Sequence, residues 1–212
     1  MQIKKLVAMP SRTGRHLQRY NKGFRQVVGC IPYRIRDTKK THSIDDITLE
    51  DLEILLISSQ KSARLMFPKG GWELDEDIEL AASRETLEEA GVVGLLGEKL
   101  GEWIFKSKSQ EKYHEGSMFP LYVTEELEVW PEKSLRHRVW MTVNEAREAC
   151  AAVWMKEALD EFVCQFNCQS REVEVDEVPL TSCLLTLCGS EDLSFAIGAK
   201  TADNEVDCYL IS

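Results

Sequence analysis

No apolar stretch in this 212-residue chain approaches the roughly 20 residues that a membrane-spanning helix requires. The N-terminus also lacks the apolar core of a secretory signal, so no membrane partner is expected. A C-x-x-C pair is missing too. The seven cysteines (Cys30, Cys150, Cys164, Cys168, Cys183, Cys188 and Cys208) form an odd, scattered set. That pattern argues against a disulfide frame or a zinc site, and for reduced thiols in an intracellular compartment. No internal repeat is visible. Acid is nearly absent from residues 1–40, where Asp37 stands alone against eleven lysines and arginines. The last 45 residues reverse the balance, with nine acids against Arg171 and Lys200. A net charge of −10 would suggest little attraction for anions, but the N-terminal part says the opposite.

The remaining composition, 43% hydrophobic and 29% charged, is that of a soluble globular protein long enough for one well-cored domain with appendages. Val27–Ile35 reads as a core strand, with Pro32 hinting at a bulge or an edge. Residues 37–51 read as a hairpin loop and Glu53–Ser59 as the next strand. Further strands are predicted at 100–106, 117–124 and 138–143. Helical periodicity begins at an Asn144 N-cap, breaks near Trp154 and continues through Phe166. Strands on both sides of two helices predict an α/β fold, a three-layer α/β/α sandwich around a mixed β-sheet. The chain divides into a basic segment (1–20), a domain (21–167) and a tail (168–212) whose acidity favours disorder. A monomer is the expected state.

One segment carries chemistry. Glu85, Glu88 and Glu89 stand at i, i+3 and i+4, so a helix places three carboxylates on one face. Such like charges destabilise a helix by a few tenths of a kcal/mol per pair, roughly, unless a cation sits among them. Hard oxygen ligands suit Mg²⁺ or Mn²⁺. Pro68, Gly70 and Gly71 form a loop before this helix, Asp75 or Asp77 can cap its start, and Gly91 can end it. Leu80 and Leu87 are expected to face the core on the opposite side.

Spaced as G-x5-E-x7-R-E-U-x-E-E-x-G-U, the segment contains Gly70, Glu76, Arg84, Glu85, Glu88, Glu89, Gly91 and Val92, with Thr86 where an aliphatic residue is usual. It resembles the Nudix box, the signature of pyrophosphate hydrolases, and the predicted sandwich is also the fold that this resemblance implies. Ser11–Tyr20, Arg25–Arg34, Phe67–Glu73 and Trp154–Leu159 extend the likeness to plant Nudix hydrolases related to diphosphoinositol polyphosphate phosphohydrolases. The resemblance implies a highly phosphorylated small-molecule substrate: an inositol pyrophosphate, with diadenosine polyphosphates as additional substrates. It departs at Lys69-Gly70-Gly71, where the animal relatives carry three glycines.

On this reading Glu85, Glu88 and Glu89, with a carbonyl of the Lys69–Gly70 loop, hold the metal. Glu88 or Glu89 takes the proton of the attacking water, and Arg84, helped by Glu76, orients the glutamates. The cations Arg12, Arg15, Arg19, Lys22, Arg25, Arg34, Arg36, Lys61 and Lys69 are candidates to hold phosphate. Among them Arg25 and Lys61 match phosphate-contacting positions of the relatives, as does Arg136; Arg34 and Arg36 share one strand face, and Lys69, Gly70 and Gly71 form the loop beside the metal. His114 is either a loop residue reaching substrate or an exposed histidine. Trp72, Trp103 and Tyr113 offer either a slot for a base or core packing.

Three other readings stay open: a Nudix enzyme for ADP-ribose, NADH or capped RNA, a non-catalytic anion sensor, and a nucleic-acid binder using residues 1–40. The intact glutamate set argues against the second, and nucleic acid is the less favoured partner. Cytosol and nucleus are expected, with mitochondria as the alternative because an Arg-rich, acid-poor N-terminus is also what a transit peptide looks like.

Overall fold

The computed structural model describes residues 16–36, 47–60, 62–106 and 112–172. Arg12, Arg15, Lys61, most of the 37–51 loop and nearly all of the acidic tail lie outside the described residues. Among them run nine strands: β1 (Tyr20–Asn21), β2 (Phe24–Ile35), β3 (Leu52–Ser59), β4 (Ser62–Met66), β5 (Lys69–Gly71), β6 (Val92–Leu96), β7 (Gly101–Lys106), β8 (Tyr113–Glu126) and β9 (Arg138–Thr142). The helices are α1 (Ile78–Ala90), α2 (Val143–Ala149) and α3 (Val153–Glu172).

All the strands join one mixed sheet with the path β4-β3-β2-β8-β6. β2 and β8 run parallel at its centre, and every other pair is antiparallel. Lys22 and Gly23, both at positive φ, make the two-residue turn that folds β1 back on β2. Pro32 lies within central β2, not at an edge as its ring suggested. It falls between the stretch paired to β5 (Val27–Gly29) and the stretch paired to β3 (Tyr33–Ile35). The Cys30 N–H still reaches the Pro68 carbonyl on that side, and the gap after it is where a missing N–H leaves no ladder bond unmade.

Period-two alternation builds the two cores. Ile31, Leu52, Ile54, Leu56 and Met118 pack against Ala146 of α2 and Met155, Ala158, Leu159 and Phe162 of α3. Val28, Cys30, Leu55, Ile57, Phe119 and Leu121 face the other way, onto Ala81, Ala82 and Ala90 of α1. Three layers result, α/β/α, as the sequence implied.

The face of α1 that meets the sheet is lined by small residues rather than by leucines. Leu80 is 48% exposed and only Leu87 of the expected pair is buried. Alanines let the helix lie close to the strands, and Thr86 joins them, fully buried with its hydroxyl donated to the Ala82 carbonyl at 2.8 Å. The helix starts after Asp77, whose side chain makes no capping bond, and ends at Gly91 with φ 62°. A Cβ at Gly91 would also stand 2.5 Å from the Trp130 ring, so glycine is required there twice over.

Helix α2 is capped two residues before the expected Asn144. Thr142 is its N-cap, in a reciprocal box with Glu145: the Thr142 N–H and hydroxyl both donate to the Glu145 carboxylate at 2.8 Å. These donors hold the Glu145 carboxyl below its ordinary value of 4.5. The cap's contribution is therefore complete above the ordinary glutamate range and is lost as pH falls through the lowered folded-state value. An NMR titration should show Glu145 titrating below 4.5 in the native protein and returning towards it in Thr142→Ala; an unshifted native midpoint would count against the box.

Candidate active site

The short strand β5 is the floor of the site, and helix α1 straps it down residue by residue. Gly29 of β2 opens the place for it: a Cβ there would meet the Pro68 carbonyl at 2.3 Å and the Lys69 Cβ at 2.5 Å. From the other side the Lys69 N–H donates to Glu89 Oε2 at 2.8 Å, and Arg84 Nη2 donates to the Gly71 carbonyl at 3.0 Å. Between these ties the Glu85 carboxylate lies against the bare α-carbon of Gly70, where a Cβ would come within 1.9 Å of Oε2. Gly70→Ala should therefore displace Glu85 or β5, lowering stability by about 1–3 kcal/mol and cutting turnover disproportionately. Chemical denaturation beside a phosphate-release assay measures both; an alanine variant with unchanged turnover would show that Glu85 need not sit on Gly70.

Arg84 is the hub of the carboxylates. Its Nε and Nη2 make a two-pronged pair with Glu76 at 2.9 and 2.7 Å, while Nη1 reaches Glu85 at 2.8 Å and Glu88 at 3.4 Å. Burial works against this charge, yet Glu76 and Glu85 hold the guanidinium protonated above its already high range. Glu76 also accepts the Glu73 N–H, so it ties the loop to the hub. Burial pushes the Glu85 carboxyl up to about 7, against the pull of Arg84 and with help from Glu89. Glu89 is raised by burial as well, opposed by Lys69 and Arg136.

The carboxylates share a helix face as the spacing required, but in this conformation Glu85 and Glu88 lean on Arg84 and Glu89 leans on Arg136. Among the described residues no three His, Cys, Asp or Glu side chains converge as a ready metal cage. Their chemistry nevertheless fits one. Desolvated carboxylates held this close need positive charge from a proton or a cation, and the Gly70 cradle leaves Glu85 against open backbone rather than against a side chain.

Cations close two sides. Arg136 is buried and bonded through Nη2 to Glu89, through Nε to Glu132 at 2.6 Å and through Nη1 to the Ser58 carbonyl at 3.1 Å. Arg25, beside Gly71, donates from Nε to Gln18 Oε1 at 2.6 Å. His114 is neither in a loop nor exposed: it is a buried residue of β8, opposite Arg25 in the parallel register and edge-on to the Phe105 ring. Burial pushes the Lys69 amine down, and Glu89 pulls it back up. Its Nζ lies 3.6 Å from the Met66 sulfur.

The NUDIX domain profile matches residues 42–162. The chain belongs to the Nudix hydrolase family. It is 58% identical over 179 residues to Nudix hydrolase 18, mitochondrial, of Arabidopsis thaliana, covering 84% of this chain and 99% of that one. Nudix hydrolase 17, mitochondrial, of the same plant is 53% identical over 188 residues, 89% of this chain and all of that one. A more distant relative is the Mus musculus diphosphoinositol polyphosphate phosphohydrolase 3-alpha, 35% identical over 58% of this chain and 68% of that one. The fold matches that of a C. elegans Ap4A hydrolase in a binary complex, with a TM-score of 0.51 at 20% identity over 68% of this chain and 98% of that one.

Of the residues nominated from the sequence, the Nudix fold gathers Arg84, Glu85, Glu88, Glu89, Lys69, Gly70, Gly71, Arg25 and Arg136 around β5, with His114 beside Arg25. It does not bring Arg34 there. Arg34 lies roughly 17 Å further along β2 than Gly29, paired with Glu53 at 2.8 Å and Glu126 at 2.5 Å and stacked on Trp140. Arg36 leans on Glu53 in the same place. Sequence reasoning missed Gln18, a buried polar residue whose only local signal was its position beside Arg19. The Nudix profile begins well after it.

Proposed function

We propose that this Nudix protein is a divalent-cation-dependent pyrophosphohydrolase acting on inositol pyrophosphates, with diadenosine polyphosphates as secondary substrates. The observation that carries this reading is the placement of Arg25, Lys69 and Arg136 around the glycine strand that abuts the carboxylates. A dense polyanion suits that rim better than a nucleoside diphosphate sugar does. Two of the three aromatic candidates for a base slot, Trp72 and Trp103, support the same choice, while Tyr113 is exposed. Arg19 covers the Trp72 ring at 4.3 Å and the indole N–H is bonded to the Glu76 carbonyl, while Trp103 packs on the core. The name of the mouse relative points to the same substrate class.

Glu85, Glu88 and Glu89, with the Gly70 carbonyl, would hold Mg²⁺ or Mn²⁺, as Nudix hydrolases generally use divalent ions. When bound, such an ion compensates charge on phosphate oxygens and acidifies water. Water attacks the terminal phosphorus, the bond from that phosphorus to the bridging oxygen breaks, and the water's proton passes to a carboxylate oxygen of Glu88 or Glu89. Arg25 and Lys69 hold the phosphates. Arg84 keeps the carboxylates aimed without touching substrate.

The test is a panel of an inositol pyrophosphate, a diadenosine polyphosphate, ADP-ribose, NADH and capped RNA, with and without Mg²⁺, read by product release. The inositol pyrophosphate should give the highest kcat/KM. Faster turnover of ADP-ribose or NADH would end the substrate assignment. For location, the relatives' names favour the mitochondrial alternative over cytosol and nucleus, and the basic residues 1–40 suit it. An import assay with isolated mitochondria decides this. Among the described residues no helix is long and apolar enough to cross a membrane.

A further inference from the structure

We propose that Gln18 is a positioning residue that fixes the Arg25 guanidinium over Gly71, and so sets how tightly the site holds polyphosphate. The inference rests on the reading of Arg25 as a phosphate-holding residue. Gln18 is 7% exposed and forms an isolated bridge to Glu73. Its amide nitrogen donates to the carbonyls of Arg19, Gln26 and Trp72 at 3.0, 2.8 and 3.1 Å. Three acceptors around the nitrogen dictate which way the amide points, because turning it over would set oxygen against oxygen. The oxygen is thereby aimed at Arg25 Nε, 2.6 Å away.

That oxygen and Arg25 Nη2 both crowd the α-carbon of Gly71, at 2.2 and 2.8 Å from the place of a Cβ. The guanidinium therefore rests on the backbone that Arg84 holds from the opposite side. The manner of the hold matters. The Gln18 amide that takes the Arg25 Nε is neutral, so this bond orients the guanidinium without bringing a negative charge to it. Arg19 secures the segment, donating to the carbonyls of Glu73 and Leu74 at 3.0 and 3.1 Å.

A double-mutant cycle tests this: Gln18→Met, Arg25→Met and the pair, with binding of inorganic tripolyphosphate and of inositol hexakisphosphate measured by calorimetry. Gln18→Met should weaken both probes about tenfold in the native background and have little effect once Arg25 is gone. Equal losses in both backgrounds, or no loss in the native one, overturn the proposal. If Gln18→Met does not fold, Gln18→Glu runs the same cycle; it keeps an acceptor for Arg25 but adds a negative charge, and its loss should likewise vanish without Arg25. Native protein that binds tripolyphosphate but not the inositol probe would defeat the substrate class and leave Gln18's role intact. Native protein that binds neither defeats both.

Discussion

Arg84→Met is expected to lower the unfolding free energy by about 3–5 kcal/mol, the usual scale for removing one side of a buried charge network. The reason is the number of groups abandoned at once. Both oxygens of Glu76, one each of Glu85 and Glu88, and the Gly71 carbonyl would each lose a donor in a setting with little water, and of the Glu76 oxygens Oε1 alone keeps the Glu73 N–H. Methionine fills much of the volume, so the loss reports charge and hydrogen bonds rather than a cavity. Arg84→Lys should recover only part of it, because a single ammonium cannot reproduce the two-pronged contact with Glu76 while also reaching Gly71. Urea denaturation of the three proteins measures the series. A methionine variant within 1 kcal/mol of native, roughly the value of an exposed pair, would mean that the network is solvated in solution.

Glu89→Gln should remove cation-dependent turnover by two to four orders of magnitude, about what loss of a general base or a metal-binding carboxylate brings. One carboxylate oxygen now accepts the Lys69 N–H and the other the Arg136 guanidinium. An amide serves one of these donors and turns its own N–H₂ towards the other, so the change removes charge and also misorients the side chain. Turnover is read as phosphate release across a Mg²⁺ series, with a melting curve to establish folding. A folded variant with near-native turnover would exclude Glu89 as base and as ligand. Retained Mn²⁺ affinity with lost turnover would assign it the proton.

The Nudix box was legible because its information is local. Helical spacing sets the carboxylate face, and Gly91 marks the helix end without help from the rest of the chain. The long strands were legible for the same reason, since alternation records which side is buried. Where the reading failed, the cause lay in contacts distant in sequence. β5 is Lys-Gly-Gly, with no pattern of its own, and is a strand only because β2 and α1 supply its partners. Arg25 and Arg34 look alike in a count of charge. Register separates them, placing one at Gly71 and the other between Glu53 and Glu126. Leu80 was assigned to the core by helical period, but a helix packed this closely on a sheet uses alanines there. Gln18 could not have been found, because its meaning comes from carbonyls up to 54 residues away.

The seating of Leu17, Gln18 and Arg19 on the loop also limits how far the chain can be shortened from its N-terminal side. The Leu17 carbonyl accepts the Leu74 N–H at 2.8 Å, and the next two side chains are built into the floor of the site. Truncation ahead of Leu17 would leave every one of these ties in place. A cut only a few residues later would release Arg25 from its guide and open the loop. The chain thus carries its own limit for trimming, written by hydrogen bonds.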